Sequence, residues 1–157
     1  MSKVNRGKQF ELVVRRAFEA LSDVSIDRLH DQTTGFIGSS NICDFIVYRK
    51  PYEFYFECKS VHGNTLPFQN ITETQWNGLL EKSKIKGVFA GVICWWVDRN
   101  VTAYIPIQSL VIMREELGQK SVRFDNNYIL PIAGKKKRVF FEYFMQDFLD
   151  SLSKVTI

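Results

Sequence analysis

Asp44, Glu57 and Lys59 are the residues of this chain whose types and spacing best suit chemistry. Carboxylates are hard oxygen donors of the kind Mg²⁺ prefers, and Mg²⁺ keeps several waters when a protein supplies few ligands. Asp44 and Glu57, with the backbone carbonyl of Cys58, would hold such an ion and leave positions for a phosphate and a water. The metal acidifies that water and offsets charge on a phosphorane-like transition state. Lys59 would touch the water or a phosphate oxygen and stabilise negative charge as it develops. Mn²⁺ is the natural substitute. Glu-x-Lys alone also reads as a cross-strand salt bridge. The aspartate on a neighbouring strand tips the balance towards a site.

Those residues need a hairpin to bring them together. Ile42–Tyr48 and Phe54–Lys59 are rich in β-branched and aromatic residues, with Arg49-Lys50-Pro51 between them as a turn. Side chains alternate faces along a strand. Asp44 then shares a face with Ile42, Ile46 and Tyr48, and Glu57 and Lys59 share one with Tyr55. Three charges would converge among apolar neighbours, which is costly unless they are paired or metal-bound.

This D-x12-E-x-K hairpin resembles the PD-(D/E)XK nuclease superfamily and, within it, the RecU-type Holliday junction resolvases. Asn5-Arg6-Gly7 with Glu11 resembles that family's opening motif, and Leu66-Pro67-Phe68-Gln69-Asn70 its segment after the lysine. Gln75 falls where the family has a helix glutamine at the metal site. The resemblance spans about residues 5–105 and is one of motifs in order. It implies a restriction-endonuclease-like α/β fold, with Asp44, Glu57 and Gln75 at the metal and Lys59 as the transition-state lysine. It also implies cleavage of four-way DNA that leaves 5′-phosphate and 3′-hydroxyl ends. Two departures stand out. Ile42 occupies a place where the family often has threonine, so a hydroxyl contribution would come from Ser39 or Ser40, or be absent. The stretch before the active-site strand is also short beside the family's projecting stalk. This suits a compact member of a kind that a phage would encode.

Composition fits one packed domain over residues 1–157. The chain is 45% hydrophobic and 14% aromatic, which argues against disorder. A net charge of +4 suits a polyanionic partner. Cys43, Cys58 and Cys94 are odd in number and lack metal spacing, so they read as reduced thiols of an intracellular, cytoplasmic protein. The longest apolar run, Val88–Val97, is far short of a membrane span, and the polar, basic start has no signal-peptide core.

The remaining elements follow from periodicity. Residues 7–21 read as a helix with Phe10, Val13, Val14, Ala17, Phe18 and Leu21 on its buried stripe. Glu11 borders that stripe, either reaching the metal site as outer ligand or base, or pairing with Arg15. Lys3, Arg6 and Lys8 lie at the helix entrance, where they could meet phosphate. Ser25–Leu29 suits an edge strand, His30–Ser40 a loop and Gly63–Asn70 another loop. His30 and His62 read as surface histidines. A helix follows, capped by Asn70 or Thr72, with Gln75 facing the hairpin and Trp76 packing. Val88–Val97, apolar on both faces, suits a central strand, paired with Val101–Ile105 across Asp98-Arg99-Asn100. Pro106 opens a helix through Leu117. Lys135, Lys136, Lys137 and Arg138 form the one dense basic run, a DNA-backbone clamp or a solvated loop. Val139–Leu152 reads as a closing helix with Phe140, Phe141, Phe144, Phe148 and Leu152 on a broad stripe, part of which would serve a homodimer.

The favoured reading is a Mg²⁺-dependent endodeoxyribonuclease that makes paired, symmetric cuts in branched DNA as a homodimer. A sequence-specific restriction-type endonuclease and a catalytically inactive DNA-binding module of the same fold are the alternatives.

Overall fold

Val88–Val97 does become the strand at the heart of the molecule. In the computed structural model, which describes residues 5–29 and 41–155, β5 (Val88–Trp96) is buried from Ala90 to Trp96. Lys3, His30, Ser39 and Ser40, and with them the loop expected over 30–40, lie outside the described residues. β1 (Ser25–Arg28), β2 (Phe45–Arg49), β3 (Tyr52–Val61), β5, β6 (Val101–Pro106) and β8 (Leu130–Pro131) form one sheet in the order β1-β2-β3-β5-β6-β8. Only β3 and β5 run parallel, and the other pairs are antiparallel. The parallel pair needs a long crossover. Here the crossover contains β4 (Thr65–Pro67) and α2 (Glu73–Ser83).

Each face of the sheet carries its own apolar layer. On one side α1 (Arg6–Glu19) contributes Phe10, Val14 and Phe18, and α4 (Met145–Val155) contributes Phe148, Leu149 and Leu152. They pack on Phe45, Val47, Phe54 and Phe56, with Phe18 stacked on Phe56 at 5.4 Å between ring centres. On the other side α2 and α3 (Ile107–Val111) bring Trp76, Leu79 and Leu110 onto Tyr55, Val92, Cys94 and Ile105. Alternation along β3 therefore sends Phe54 and Phe56 to one layer and Tyr55 to the other, and puts Glu57 and Lys59 on the α2 side.

α1 and α2 begin where side chains satisfy free N–H groups. Asn5 Oδ1 accepts from Lys8 N–H at 3.1 Å to open α1. Thr72, one of the two expected caps, opens α2 in a capping box with Gln75. Arg49, at the end of β2, donates to Asp23 at 3.1 Å and to Asp150 on α4, tying the hairpin turn to the segment after α1 and to the middle of α4.

Three stretches depart from the sequence reading. Gly63–Asn70 is not all loop, because Thr65–Pro67 pairs as β4 with β7 (Ser121–Arg123). The helix from Pro106 is α3 for only Ile107–Val111 and continues as a π-helical turn, Ile112–Glu116. Val139–Leu152 is not one helix. Phe141–Tyr143 is β10, paired with β9 (Gly134–Lys136), and α4 starts only at Met145. A buried hydrogen bond of 2.6 Å between Tyr143 Oη and Thr102 Oγ1 on β6 fixes that strand. Phe148 and Leu152 are core, whereas Phe144 faces out at 48% exposure. No helix among the described residues is long and apolar enough to cross a membrane.

Candidate active site

Asp44 stands immediately before β2 and is fixed by its own main chain. Its carbonyl accepts from Leu29 N–H at 2.9 Å, and its N–H donates to Phe56 C=O at 3.0 Å. Held between β1 and β3 in this way, it turns its carboxylate to β3, where Oδ2 accepts from Cys58 N–H at 2.8 Å. The β2–β3 register, with Phe45 opposite Phe56, puts Asp44 beside Glu57.

Glu57 is 5% exposed. Its Oε2 accepts from Lys59 Nζ at 3.0 Å and from Gln75 Nε2 at 3.0 Å. The Gln75 amide is committed at both ends, because its Oε1 accepts from Thr72 N–H at 3.1 Å. The hairpin thus supplies two acids and a lysine, and α2 supplies an amide that orients one acid. The salt bridge runs along β3, from Lys59 to Glu57 two residues before it, rather than across strands, and it uses the same atoms as the candidate site.

Burial makes this acid pair hard to ionise. It pushes Glu57 up to about 8, with the neighbouring Asp44 charge adding to the effect and Lys59 opposing it. Asp44 is pushed up to about 6, again mainly by burial, with Cys58 N–H opposing and the Glu11 charge adding. Buried carboxyls that repel one another take up a hard cation readily, since the cation replaces the protons they otherwise share. The donor set is all oxygen and fits Mg²⁺ or Mn²⁺. Among the described residues, no group of three or more His, Cys, Asp or Glu gathers at one metal position. An ion held by two carboxylates would therefore keep waters.

Glu11 sits at the border of this site on α1. Its partner is Arg28 on β1, at 2.9 Å, rather than Arg15, which pairs with Glu19 at 3.0 Å. Pairing with Arg15, one of the two readings of Glu11, fails because β1 reaches Glu11 from outside the helix. Lys8 lines a cleft of about 200 Å³ with Glu11, Arg15 and Arg28, and Arg6, at the start of α1, is exposed.

The other sequence candidates lie elsewhere. Lys135 and Lys136 are on β9, and Lys137 and Arg138 follow it, all exposed. Lys136 Nζ donates to Asn100 Oδ1 at 3.0 Å, and Lys137 Nζ pairs with Glu142 at 3.3 Å. His62 is exposed and paired with Asp98 at 3.1 Å. The three cysteines are free thiols. Burial raises all of them, Cys43 to about 12, which keeps them protonated.

Sequence reasoning missed two residues at the site. Arg28 gave no signal, since its role depends on β1 lying beside α1. Gly78 gave one, because a glycine inside a helical pattern usually has a packing reason. A Cβ there would run into Ile42, two residues before Asp44.

A mixed sheet with helices on both faces, carrying Asp and Glu-x-Lys on its antiparallel hairpin, is a nuclease-type α/β fold. The fold is similar to that of Hjc from Archaeoglobus fulgidus, described as a Holliday junction resolvase from an archaeal hyperthermophile. The match has a TM-score of 0.51 and 19% identity, and covers 80% of this chain and 95% of that one. Residues 5–147 match the family RecU, Recombination protein U. The chain belongs to that family. No match was found among curated proteins.

Proposed function

We propose that this chain is a Mg²⁺-dependent endodeoxyribonuclease that resolves four-way DNA junctions as a homodimer. The pair of half-buried Asp44 and buried Glu57, with Lys59 on Glu57, carries the reading, and membership of the recombination family supports the substrate. Asp44, Glu57 and the Cys58 carbonyl would hold the cation. The N–H and C=O of one strand residue point to the same edge, so the bond from Cys58 N–H to Asp44 supports a carbonyl on that side. Gln75 completes the site by fixing Glu57. A bound divalent cation supplies charge neutralisation and a more acidic water.

The chain's own groups do the rest. The acid pair sets the place of the scissile phosphate. Lys59, 20% exposed and held 3.0 Å from Glu57, offers its ammonium to the oxygen on which negative charge grows. Water adds to phosphorus and the bond to O3′ breaks, giving a 5′-phosphate and a 3′-hydroxyl once the leaving oxygen takes a proton. Glu11 lies close enough to influence Asp44 electrostatically, and we assign it a supporting role as base or outer ligand.

Cleavage of a synthetic four-way junction against linear duplex, with Mg²⁺ and with EDTA, tests this reading. Mg²⁺-dependent cutting of the junction alone is expected. Asp44→Asn and Glu57→Gln should abolish cutting and leave junction binding largely intact. Equal cutting of linear duplex would favour a restriction-type enzyme, and binding without cutting would favour an inactive module.

A further inference from the structure

Gly78 lies near the middle of α2 (Glu73–Ser83), where glycine is less favourable than alanine. Space explains its presence. A Cβ on Gly78 would lie 2.6 Å from Ile42 Cβ and closer still to Ile42 Cγ2, whereas real Cβ atoms essentially never come under 3.0 Å. The helix and the segment leading into Asp44 therefore meet here nearly backbone to side chain. Ile42 is half-buried and packs in the layer that holds Trp76 and Leu79.

Gln75 precedes Gly78 by three residues and so lies on the same face of the helix. Its amide has no freedom to compensate for a displaced helix. Oε1 is tied to Thr72 N–H at the helix's own first turn, and Nε2 is on Glu57 at 3.0 Å. Where α2 goes, that N–H donor goes with it. A shift of one ångström along the line to Glu57 would stretch a 3.0 Å bond beyond hydrogen-bonding distance.

We infer that Gly78 is a positioning residue: its missing side chain lets α2 seat on Ile42, and that seat sets the Gln75 amide on Glu57. The inference rests on the proposed site and adds to it a residue that has no polar side-chain atom. Through Ile42, the same contact couples the helix that carries Gln75 to the segment that carries Asp44. The contact thus links the helix that orients Glu57 to the segment that leads into Asp44.

The test moves the small residue from one side of the contact to the other. The side-chain amide resonance of Gln75, assigned by its loss in Gln75→Ala, is recorded in protein free of metal and DNA. It should move in Gly78→Ala and return in Gly78→Ala/Ile42→Gly, where both colliding atoms of residue 42 are gone. Mg²⁺ affinity by calorimetry should fall about 10-fold in Gly78→Ala, the scale of losing a group that orients a ligand, and recover in the exchange variant. Adding Gln75→Ala to Gly78→Ala should cost little more. A folded Gly78→Ala with an unmoved Gln75 resonance overturns the inference, as does an exchange variant that stays impaired. If Gly78→Ala does not fold, an exchange variant that folds with a native Gln75 resonance supports the inference, and one that also fails to fold overturns it. The resonance needs neither metal nor DNA, so a chain that proves not to cut junctions would leave the positioning result standing.

Discussion

Asp44 and Glu57 hold their protons more tightly in the folded chain than in the unfolded one, because burial and mutual repulsion penalise both charges. Between the ordinary carboxylate range and about pH 8, the folded protein therefore binds more protons than the unfolded chain. The associated stability is fully present below the ordinary range and is lost as pH rises through 6 towards 8. Metal-free protein should melt at a lower temperature at about pH 9 than at about pH 5, and Glu57→Gln should flatten that dependence. Added Mg²⁺ should raise the melting temperature more at the higher pH, where the acids are closer to ionised. Calorimetric scans across pH check all three. Lys59 is tested by rate. Lys59→Ala should slow single-turnover cleavage about 10²–10³-fold, the scale of losing one transition-state donor. An unchanged rate would leave Lys59 only its ion pair with Glu57.

At the scale of elements, the closing segment shows how a pattern misleads. Phe140, Phe141, Phe144 and Phe148 fit a helical stripe, yet β10 pairs with β9 and is pinned to β6 through Tyr143 and Thr102. Tyr143→Phe strands the Thr102 hydroxyl in the interior and should cost about 1–3 kcal/mol, measured by denaturant unfolding. The same pairing orders the basic run. Lys135 and Arg138 are exposed, whereas Lys137 is engaged by Glu142. If the run touches phosphates, replacing Lys135–Arg138 with serine should flatten the salt dependence of junction binding by up to about one slope unit per lost contact. An identical slope would make it a solvated edge.

At the scale of the whole molecule, one chain offers one Asp44–Glu57–Lys59 site, and a four-way junction needs two matched cuts. A two-fold dimer, the commonest kind of oligomer, presents two such sites in fixed relation. The four phenylalanines offer less apolar surface for it than the sequence suggests, since Phe148 is buried, Phe140 and Phe141 are half-buried and Phe144 is 48% exposed. Sedimentation should show a dimer at micromolar concentration. A cruciform plasmid should go directly to linear DNA, because such a dimer would make both cuts within one bound lifetime. Nicked circles accumulating first, from a monomer, would point to a simple nicking nuclease.

The hairpin, the acid–lysine set and the Thr72 cap were legible in the sequence because each depends on local rules: alternation along a strand, turn chemistry and side-chain capping. So was β5, whose two apolar faces require cover on both sides. Long-range pairing was not legible. β4 exists because β7 arrives from more than fifty residues later, and Glu11 turns to Arg28 because β1 lies against α1. The raised acids follow from burial, which composition cannot assign to particular side chains. Gly78 and Ile42 lie thirty-six positions apart, and nothing local links them. Only the packing of a helix onto the entry to β2 made the absence of one methyl group part of the site.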